Sequence, residues 1–267
     1  MAYMEMNHRS EVLQMDMTFA AVIPDQWSEK GKKTNRPVIW LLHGGYGNYS
    51  DWIRNTSAVK IAEEKGVAMI FPEAHHSCFV NMKEGARYGD YIGWELPEFV
   101  KKLFPMISRE RKDWHVCGFS NGGYGCIQVA LTHSEIFGNA GAFAAGDMED
   151  KPYRKGDDSN WSRNRRAIMG TGDIHETEYS LKYCARRLMN ADKSLPKIYH
   201  ACGRLDPWYD MNQKVRRFFE GLDGNPYQYY YEEYPEHGHT YSFIEQALKD
   251  YIRAVKICCR DAATQES

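Results

Sequence analysis

The pentapeptide Gly118-Phe119-Ser120-Asn121-Gly122 places a serine between two glycines, after an apolar run and before a helix-like pattern. A serine held at a sharp strand-to-helix turn has an exposed hydroxyl and a strained backbone, and its flanking residues must be small for the turn to close. A helix that starts at Asn121 directs free backbone N–H groups toward negative charge developing beside the serine. The motif therefore predicts that Ser120 is a nucleophile.

A nucleophilic serine needs a base within hydrogen-bond reach and a third group that holds the base. Where a serine sits at such a turn, the chain order is serine, acid, histidine. Asp206, in CGRLDPW, and His239, in PEHGHTYSF, follow Ser120 in that order. We expect Asp206 to orient His239, and His239 to deprotonate Ser120.

Both partners of the serine have competitors. The alternative role for Asp206 is to cap the helix that follows it, and Asp210 and Asp173 are the alternative acids. His237 lies two residues before His239, and only the position of His239 just before the last helix favours it.

Acyl transfer also needs N–H donors for the developing oxyanion. The backbone N–H of Asn121 is one expected donor. The second is expected from Gly45, in the loop His43-Gly44-Gly45-Tyr46-Gly47 after the first buried strand, unless this loop is only a tight turn. It lacks the Lys-Ser/Thr ending and the glycine spacing of nucleotide-binding loops.

Several other side chains near these motifs have chemistry to offer. Four aromatic residues are candidates for the substrate pocket or for a sugar, although packing in the core or on the surface explains each equally well: Tyr46, Tyr124, Trp208 and Tyr209. His75, His76 and Cys78 have metal-ligand chemistry, but no second cluster accompanies them. We expect no metal.

The composition limits the classes of partner. The chain has 267 residues, with 34 basic and 36 acidic residues and a net charge of -2, so nothing favours binding to nucleic acid or to an anionic membrane. Apolar runs are far shorter than the roughly 20 residues of a membrane-spanning helix. The first residues lack the apolar core of a signal peptide, and the seven cysteines have no framework spacing. These features predict a cytoplasmic protein with a small-molecule substrate.

The elements that must position these residues alternate along the chain. Residues 13–24 alternate as one or two antiparallel strands, and a charged turn follows at 28–37. Fully apolar strands and amphipathic helices then take turns, which predicts one α/β domain over 1–267 with a mostly parallel sheet and helices on both faces. The polar segment 147–177 shows little periodicity and is expected to form a small cap over the active face.

Together these motifs resemble one family of α/β hydrolases, the putative esterases, which includes tributyrin esterases, acetyl esterases and S-formylglutathione hydrolases. The similarity extends through most of the chain, in LLHGGYGNYSDW, ELPEFVKKLFP, GFSNGGYG, CGRLDPWY and GHTYSF. It implies an α/β-hydrolase fold, Ser120, Asp206 and His239 as the catalytic residues, short acyl esters as substrates and no cofactor. Family members are often oligomeric, so a homo-oligomer is open for this chain. Asn121 departs from the methionine usual in the family.

The expected activity is therefore that of a serine carboxylesterase acting on short-chain, acetyl-like esters. Thioester hydrolysis of the S-formylglutathione type and acyl transfer to an alcohol are alternatives, because all three reactions share an acyl-enzyme. An inactive scaffold that serves as a binding module is the non-enzymatic alternative, and the complete set of serine, aspartate and histidine argues against it.

Overall fold

The computed structural model describes residues 1–24 and 36–257. Most of the predicted charged turn at 28–37 lies outside these ranges, as do Cys258 and Cys259. The described strands are β1 (Ala2–Ser10), β2 (Met15–Ile23), β3 (Val38–Leu42), β4 (Ala68–Pro72), β5 (Trp114–Phe119), β6 (Asn139–Phe143), β7 (Lys197–Gly203) and β8 (Tyr230–Tyr234).

These strands form one sheet in the order β1-β2-β4-β3-β5-β6-β7-β8. The six strands β4, β3, β5, β6, β7 and β8 are parallel to one another, whereas β1 pairs with β2, and β2 with β4, in antiparallel fashion. The mostly parallel sheet predicted from the sequence is thus confirmed. The prediction for 13–24 was incomplete, because that segment holds only β2. Its partner β1 lies earlier, where side chains such as Met4 and Glu5 alternate between partly buried and exposed positions.

The described helices are α1 (Asp51–Asn55), α2 (Ala58–Lys65), α3 (Tyr88–Asp90), α4 (Leu96–Leu103), α5 (Asn121–Thr132), α6 (Asn160–Met169), α7 (Leu181–Met189), α8 (Tyr209–Glu220) and α9 (Tyr241–Ala254). A π-helical turn, Tyr91–Glu95, joins α3 to α4, and short 3-10 turns cover Arg111–Asp113 and Met148–Asp150. No helix within the described ranges is long and apolar enough to cross a membrane.

The helices cover both faces of the sheet. Strand β3 is buried along its whole length because its side chains alternate between two cores, with Trp40 in one and Ile39 in the other. Helices α4 to α8 contribute to the Trp40 side, whereas α1, α2 and α9 contribute to the Ile39 side. Helices on both faces are what the sequence predicted.

Segment 147–177 is more regular than its sequence indicated, since it contains α6. Ser159 caps this helix by accepting a hydrogen bond from the Ser162 N–H at 3.2 Å. The buried face of α6 includes Arg165, whose guanidinium donates to the Gly170 carbonyl at 2.8 Å. A buried arginine interrupts the apolar pattern on which the sequence prediction depended, and for this reason the helix was missed.

The sheet positions the site through its carboxyl edge. Strands β3, β5 and β7 run in the same direction, so the segments that follow Leu42, Phe119 and Gly203 emerge at one edge. Ligand-binding groups collect at that edge in open α/β sheets.

Candidate active site

Ser120 occupies a strained turn between β5 and α5. Its backbone has φ 57° and ψ -115°, in the region that residues with a side chain rarely adopt. The strain is held by hydrogen bonds on both sides: Ser120 N–H donates to the Phe143 carbonyl at 2.9 Å, and the Ser120 carbonyl accepts from Tyr124 N–H at 2.9 Å. Such an outlier costs on the order of 1 to 3 kcal/mol and persists where surrounding structure enforces it.

The two glycines of the motif are required by close backbone contacts. A Cβ on Gly118 would lie 2.1 Å from the Gly122 carbonyl oxygen, and a Cβ on Gly122 would lie 2.4 Å from the Leu42 carbonyl oxygen. No side chain shift can relieve a contact between a Cβ and a backbone oxygen. The turn therefore closes only with glycine at both positions.

His239 and Asp206 are hydrogen-bonded to each other. The Nδ1 atom of His239 lies 2.6 Å from Oδ2 of Asp206, whose side chain is fully buried, while that of His239 is 22% exposed. The imidazole also packs on the Phe119 ring at a centroid distance of 4.4 Å. With Nδ1 engaged, Nε2 is the nitrogen available for proton transfer.

The other carboxylate oxygen of Asp206 accepts a hydrogen bond from Trp208 N–H at 2.7 Å. The capping role considered from the sequence thus coexists with the contact to His239, one oxygen serving each. Asp210 is exposed in the first turn of α8, and Asp173 is exposed and pairs with His175.

His237 makes different contacts from those of His239. Its ring contacts Tyr234 and Phe243 at centroid distances of 5.8 and 6.2 Å. Among the residues that the structure describes, it does not line the cavity that His239 lines.

A cavity of about 350 Å³ brings together four of the five residues predicted for catalysis and the oxyanion hole: Ser120, His239, Gly45 and Asn121. Strand β5 and helix α5 supply Ser120 and Asn121, and the loop after β3 supplies Gly45. The remaining lining residues are Tyr46, His76, Cys78, Ala144, Gly146, Met148, Lys151, Trp161, Asn164, Ile168, Trp208 and Met211.

Gly45 and Asn121 are neighbours at this cavity. A Cβ on Gly45 would lie 2.9 Å from Nδ2 of Asn121. The loop turns sharply here, with Gly47 N–H donating to the Gly44 carbonyl at 3.3 Å. Asn121 is the first residue of α5, so its N–H has no acceptor within the helix. Gly45 and the first residue of α5 therefore lie side by side at the cavity that contains Ser120.

His43 and Glu73 support the loop that contains Gly45. The role of Glu73 was not predicted from the sequence. His43 is buried, with Nδ1 2.9 Å from the Gly44 carbonyl oxygen and Nε2 3.4 Å from Oε1 of Glu73. Glu73 also accepts hydrogen bonds from the N–H groups of His75 at 2.7 Å and Tyr49 at 3.2 Å. Burial alone would raise the pKa of Glu73, but His43 and these N–H groups outweigh it and lower that pKa.

Two of the four aromatic residues expected at the pocket do not line it. Tyr46 and Trp208 do line the cavity. Tyr124 is buried in the core, where its hydroxyl donates to the Tyr179 carbonyl at 2.7 Å. The hydroxyl of Tyr209 donates to Glu233. Tyr124 and Tyr209 are near the motifs in sequence, but this closeness did not indicate whether their side chains reach the cavity.

Five lining residues come from segment 147–177, and sequence analysis identified none of them as site residues: Met148, Lys151, Trp161, Asn164 and Ile168. The only sequence feature that distinguished one of them was the tryptophan at position 161, within a polar stretch.

The three residues with metal-ligand chemistry take separate partners. Nδ1 of His75 lies 2.9 Å from the Tyr88 hydroxyl, while the His76 ring contacts Tyr46 at a centroid distance of 4.9 Å. Cys78 is buried, and burial raises the pKa of its thiol to about 12. Across residues 1–24 and 36–257, no group of three or more His, Cys, Asp or Glu side chains is arranged to hold a metal ion.

The chain is similar to known proteins along most of its length. A family model described as putative esterase matches residues 10–254. An acetyl esterase from Caldicellulosiruptor saccharolyticus is 30% identical over 91% of this chain and 94% of its own. The fluorophosphonate-binding serine hydrolase F of Staphylococcus aureus has a TM-score of 0.84 and 28% identity, covering 95% of this chain and 98% of its own. An S-formylglutathione hydrolase from the same organism has a TM-score of 0.82 and 27% identity over the same shares.

Proposed function

The chain belongs to the putative esterase family and is a serine hydrolase that acts on carboxylic esters, and on that premise we propose that it hydrolyses short-chain, acetyl-like esters through Ser120, His239 and Asp206. The observation that carries the proposal is the contact between His239 and the buried Asp206, at the cavity that both His239 and Ser120 line. A histidine held through Nδ1 beside a strained serine is the arrangement that activates a hydroxyl.

In the first half-reaction, Ser120 Oγ attacks the ester carbonyl carbon while Nε2 of His239 takes the hydroxyl proton. The carbonyl oxygen becomes an oxyanion, which the N–H groups of Gly45 and Asn121 stabilise; one such donor is commonly worth about 10² to 10³ in rate. The tetrahedral intermediate then collapses, the bond to the alcohol oxygen breaks, and His239 returns the proton to that oxygen. The acyl group remains on Ser120.

In the second half-reaction, water replaces the alcohol. His239 takes a proton from water, whose oxygen attacks the acyl carbon, and the bond to Ser120 Oγ breaks. The proton returns from His239 to Ser120, and the carboxylic acid is released. Asp206 stabilises the imidazolium in both halves.

The acyl-enzyme cannot form without the Ser120 hydroxyl, so substitution of Ser120 is the decisive experiment. Hydrolysis of p-nitrophenyl acetate is expected to fall about 10⁴-fold or more in Ser120→Ala. Ser242→Ala is the matched control, because Ser242 is an exposed serine near His239 that does not line the cavity. A fluorophosphonate should label the protein, and Ser242→Ala, at Ser120. Equal turnover by Ser120→Ala and the unsubstituted protein would remove Ser120 from the mechanism.

Short acyl chains are proposed because an acetyl esterase is among the similar proteins. Trp161 and Ile168 of segment 147–177 line the space that contains Ser120. We propose that the segment is a cap on a single domain, since the described strands all join one sheet. Activity that rises steadily from p-nitrophenyl acetate to p-nitrophenyl octanoate would contradict the proposed preference for short acyl chains.

Thioester hydrolysis is the second candidate, because S-formylglutathione hydrolases are among the similar proteins. The same acyl-enzyme serves both reactions, so kcat/KM for an acetyl ester and for the matching acetyl thioester separates them.

We further propose a cytoplasmic location, which suits the five free, buried cysteines of the described ranges.

A further inference from the structure

A lysine ammonium lies between two tryptophan rings at the wall of the catalytic cavity. Nζ of Lys151 is 3.6 Å from the ring centroid of Trp161 and 4.0 Å from that of Trp208. All three residues line the cavity that contains Ser120 and His239. Contacts with the faces of indole rings hold an ammonium in position without neutralising its charge.

Lys151 has no ion-pair partner among the residues that the structure describes. The neighbouring Asp150 carboxylate is bound to Lys182 at 3.3 Å and to Lys214 at 2.9 Å. Asp157, which lines an adjoining hollow, accepts a hydrogen bond from a backbone N–H two residues later at 2.9 Å. The nearby carboxylates are therefore already engaged, and the charge of Lys151 is available to a ligand.

The other residues that line the cavity also favour a negatively charged ligand. None of the described residues that line it is an aspartate or glutamate, and its ionisable side chains besides Lys151 are Tyr46, His76, His239 and the thiol of Cys78. A cavity with a fixed cation and no carboxylate in its lining favours a negatively charged ligand.

The surroundings of Lys151 leave this charge poorly compensated. Burial is the largest cause that lowers the pKa of Lys151, and the charge of Arg154 lowers it further, against an opposing effect of Cys78. An anion bound beside the ammonium would supply the missing compensation.

We propose that Lys151 is a specificity-determining residue that binds a carboxylate on the alcohol part of the ester. An acetyl group carries no charge, so in the proposed reaction the anion belongs to the alcohol. The rings of Trp161 and Trp208 then pack against the carbon frame between that carboxylate and the ester oxygen. This inference rests on the proposed ester hydrolysis and names its substrate class: short-chain acyl esters of hydroxy acids.

Matched esters test the proposal. The anions para-acetoxybenzoate and the longer para-acetoxyphenylpropionate are each compared with their neutral primary amides, and the ratio of kcat/KM for anion to amide is measured. Taking the ratio within each variant cancels general losses of activity. We expect at least one anion to be preferred by the unsubstituted protein. That preference should fall about tenfold in Lys151→Met, which keeps an unbranched side chain between the rings, and survive in Lys151→Arg.

Lys102→Met is the control, because it removes the same charge from an exposed position on α4 outside the cavity lining. Its ratio should match that of the unsubstituted protein. If Lys151→Met does not fold, added salt tests the same point, since raising NaCl from about 0.05 to about 0.5 M should weaken the preference for the anion.

Two results would overturn the role of Lys151: no preference for either anion in the unsubstituted protein, or an equal preference in Lys151→Met. Both leave the proposed esterase reaction intact, because the amides are still hydrolysed at their acetyl ester through Ser120. Full hydrolysis of these esters by Ser120→Ala would instead contradict the esterase mechanism itself.

Discussion

Nδ1 of His239 lies 2.6 Å from Oδ2 of Asp206, although 33 positions separate the two residues in the chain. The loops after β7 and β8 bring them together at the carboxyl edge of the sheet. Because Oδ1 of the same carboxylate is held by Trp208 N–H at 2.7 Å, the acid has one fixed orientation toward the imidazole.

This contact leads to a prediction for Asp206→Asn. An asparagine keeps the shape but neither stabilises an imidazolium nor enforces the required tautomer, so kcat for p-nitrophenyl acetate should fall about 10² to 10⁴-fold. Asp210→Asn, an exposed change four residues later, should retain full activity. Comparable losses in both variants would mean that the carboxylate at 206 has no special role.

The two neighbouring histidines should behave differently. His239→Gln removes the proposed base and should reduce kcat by about 10³-fold or more, with little change in unfolding temperature. His237→Gln alters a ring that packs on Tyr234 and Phe243, so it should affect stability more than catalysis. Steady-state kinetics and thermal unfolding of both variants check this. If only His237→Gln lost catalysis, His237 and not His239 would be the base.

The turn at Ser120 should tolerate no side chain at Gly118. In Gly118→Ala, the new Cβ would lie 2.1 Å from the Gly122 carbonyl oxygen, so the strand and helix would have to separate. We expect the free energy of unfolding to fall by about 3 kcal/mol or more, and activity to be lost with it. Chemical denaturation measures the change. Gly172→Ala is the control, since a Cβ at that position would have open space around it; similar losses in the two variants would contradict the steric argument.

The stability of the protein should depend on the ionisation of Asp147. Burial, with a contribution from the charge of Glu149, raises the pKa of Asp147 from 3.8 to about 7. Between these two values the folded protein keeps a proton that the unfolded chain has released. The free energy of unfolding should therefore decrease as the pH rises through this window, by at most about 1.4 kcal/mol per pH unit for one proton.

Asp147→Asn has no such proton, so its free energy of unfolding should depend less steeply on pH. Urea denaturation of both proteins at about pH 5 and about pH 7 measures the two slopes. Asp210→Asn, which changes an exposed aspartate, should keep the original slope. Parallel slopes for Asp147→Asn and the unsubstituted protein would show that Asp147 titrates alike in the folded and unfolded chains.

Much of the fold could be predicted because its signals are local. Fully apolar strands alternate with helices, and this rhythm indicated the mostly parallel sheet that the structure has. Strand β1 was missed, since its inward positions include the polar His8 and Ser10, which leaves an incomplete apolar face. Helix α6 was missed because the buried Arg165 occupies a position where an apolar residue would have revealed the pattern.

The sequence by itself determined the turn around Ser120, because its requirements are steric and act between residues a few positions apart. Gly118 and Gly122 are small where backbone atoms approach most closely. Only the tertiary structure decided which distant groups share the cavity with Ser120. His239 lines it and His237 does not, and Lys151 and Trp161 enter it from a segment without a motif. Such choices depend on how loops pack at the sheet edge, and packing between distant segments leaves no periodic trace along the chain.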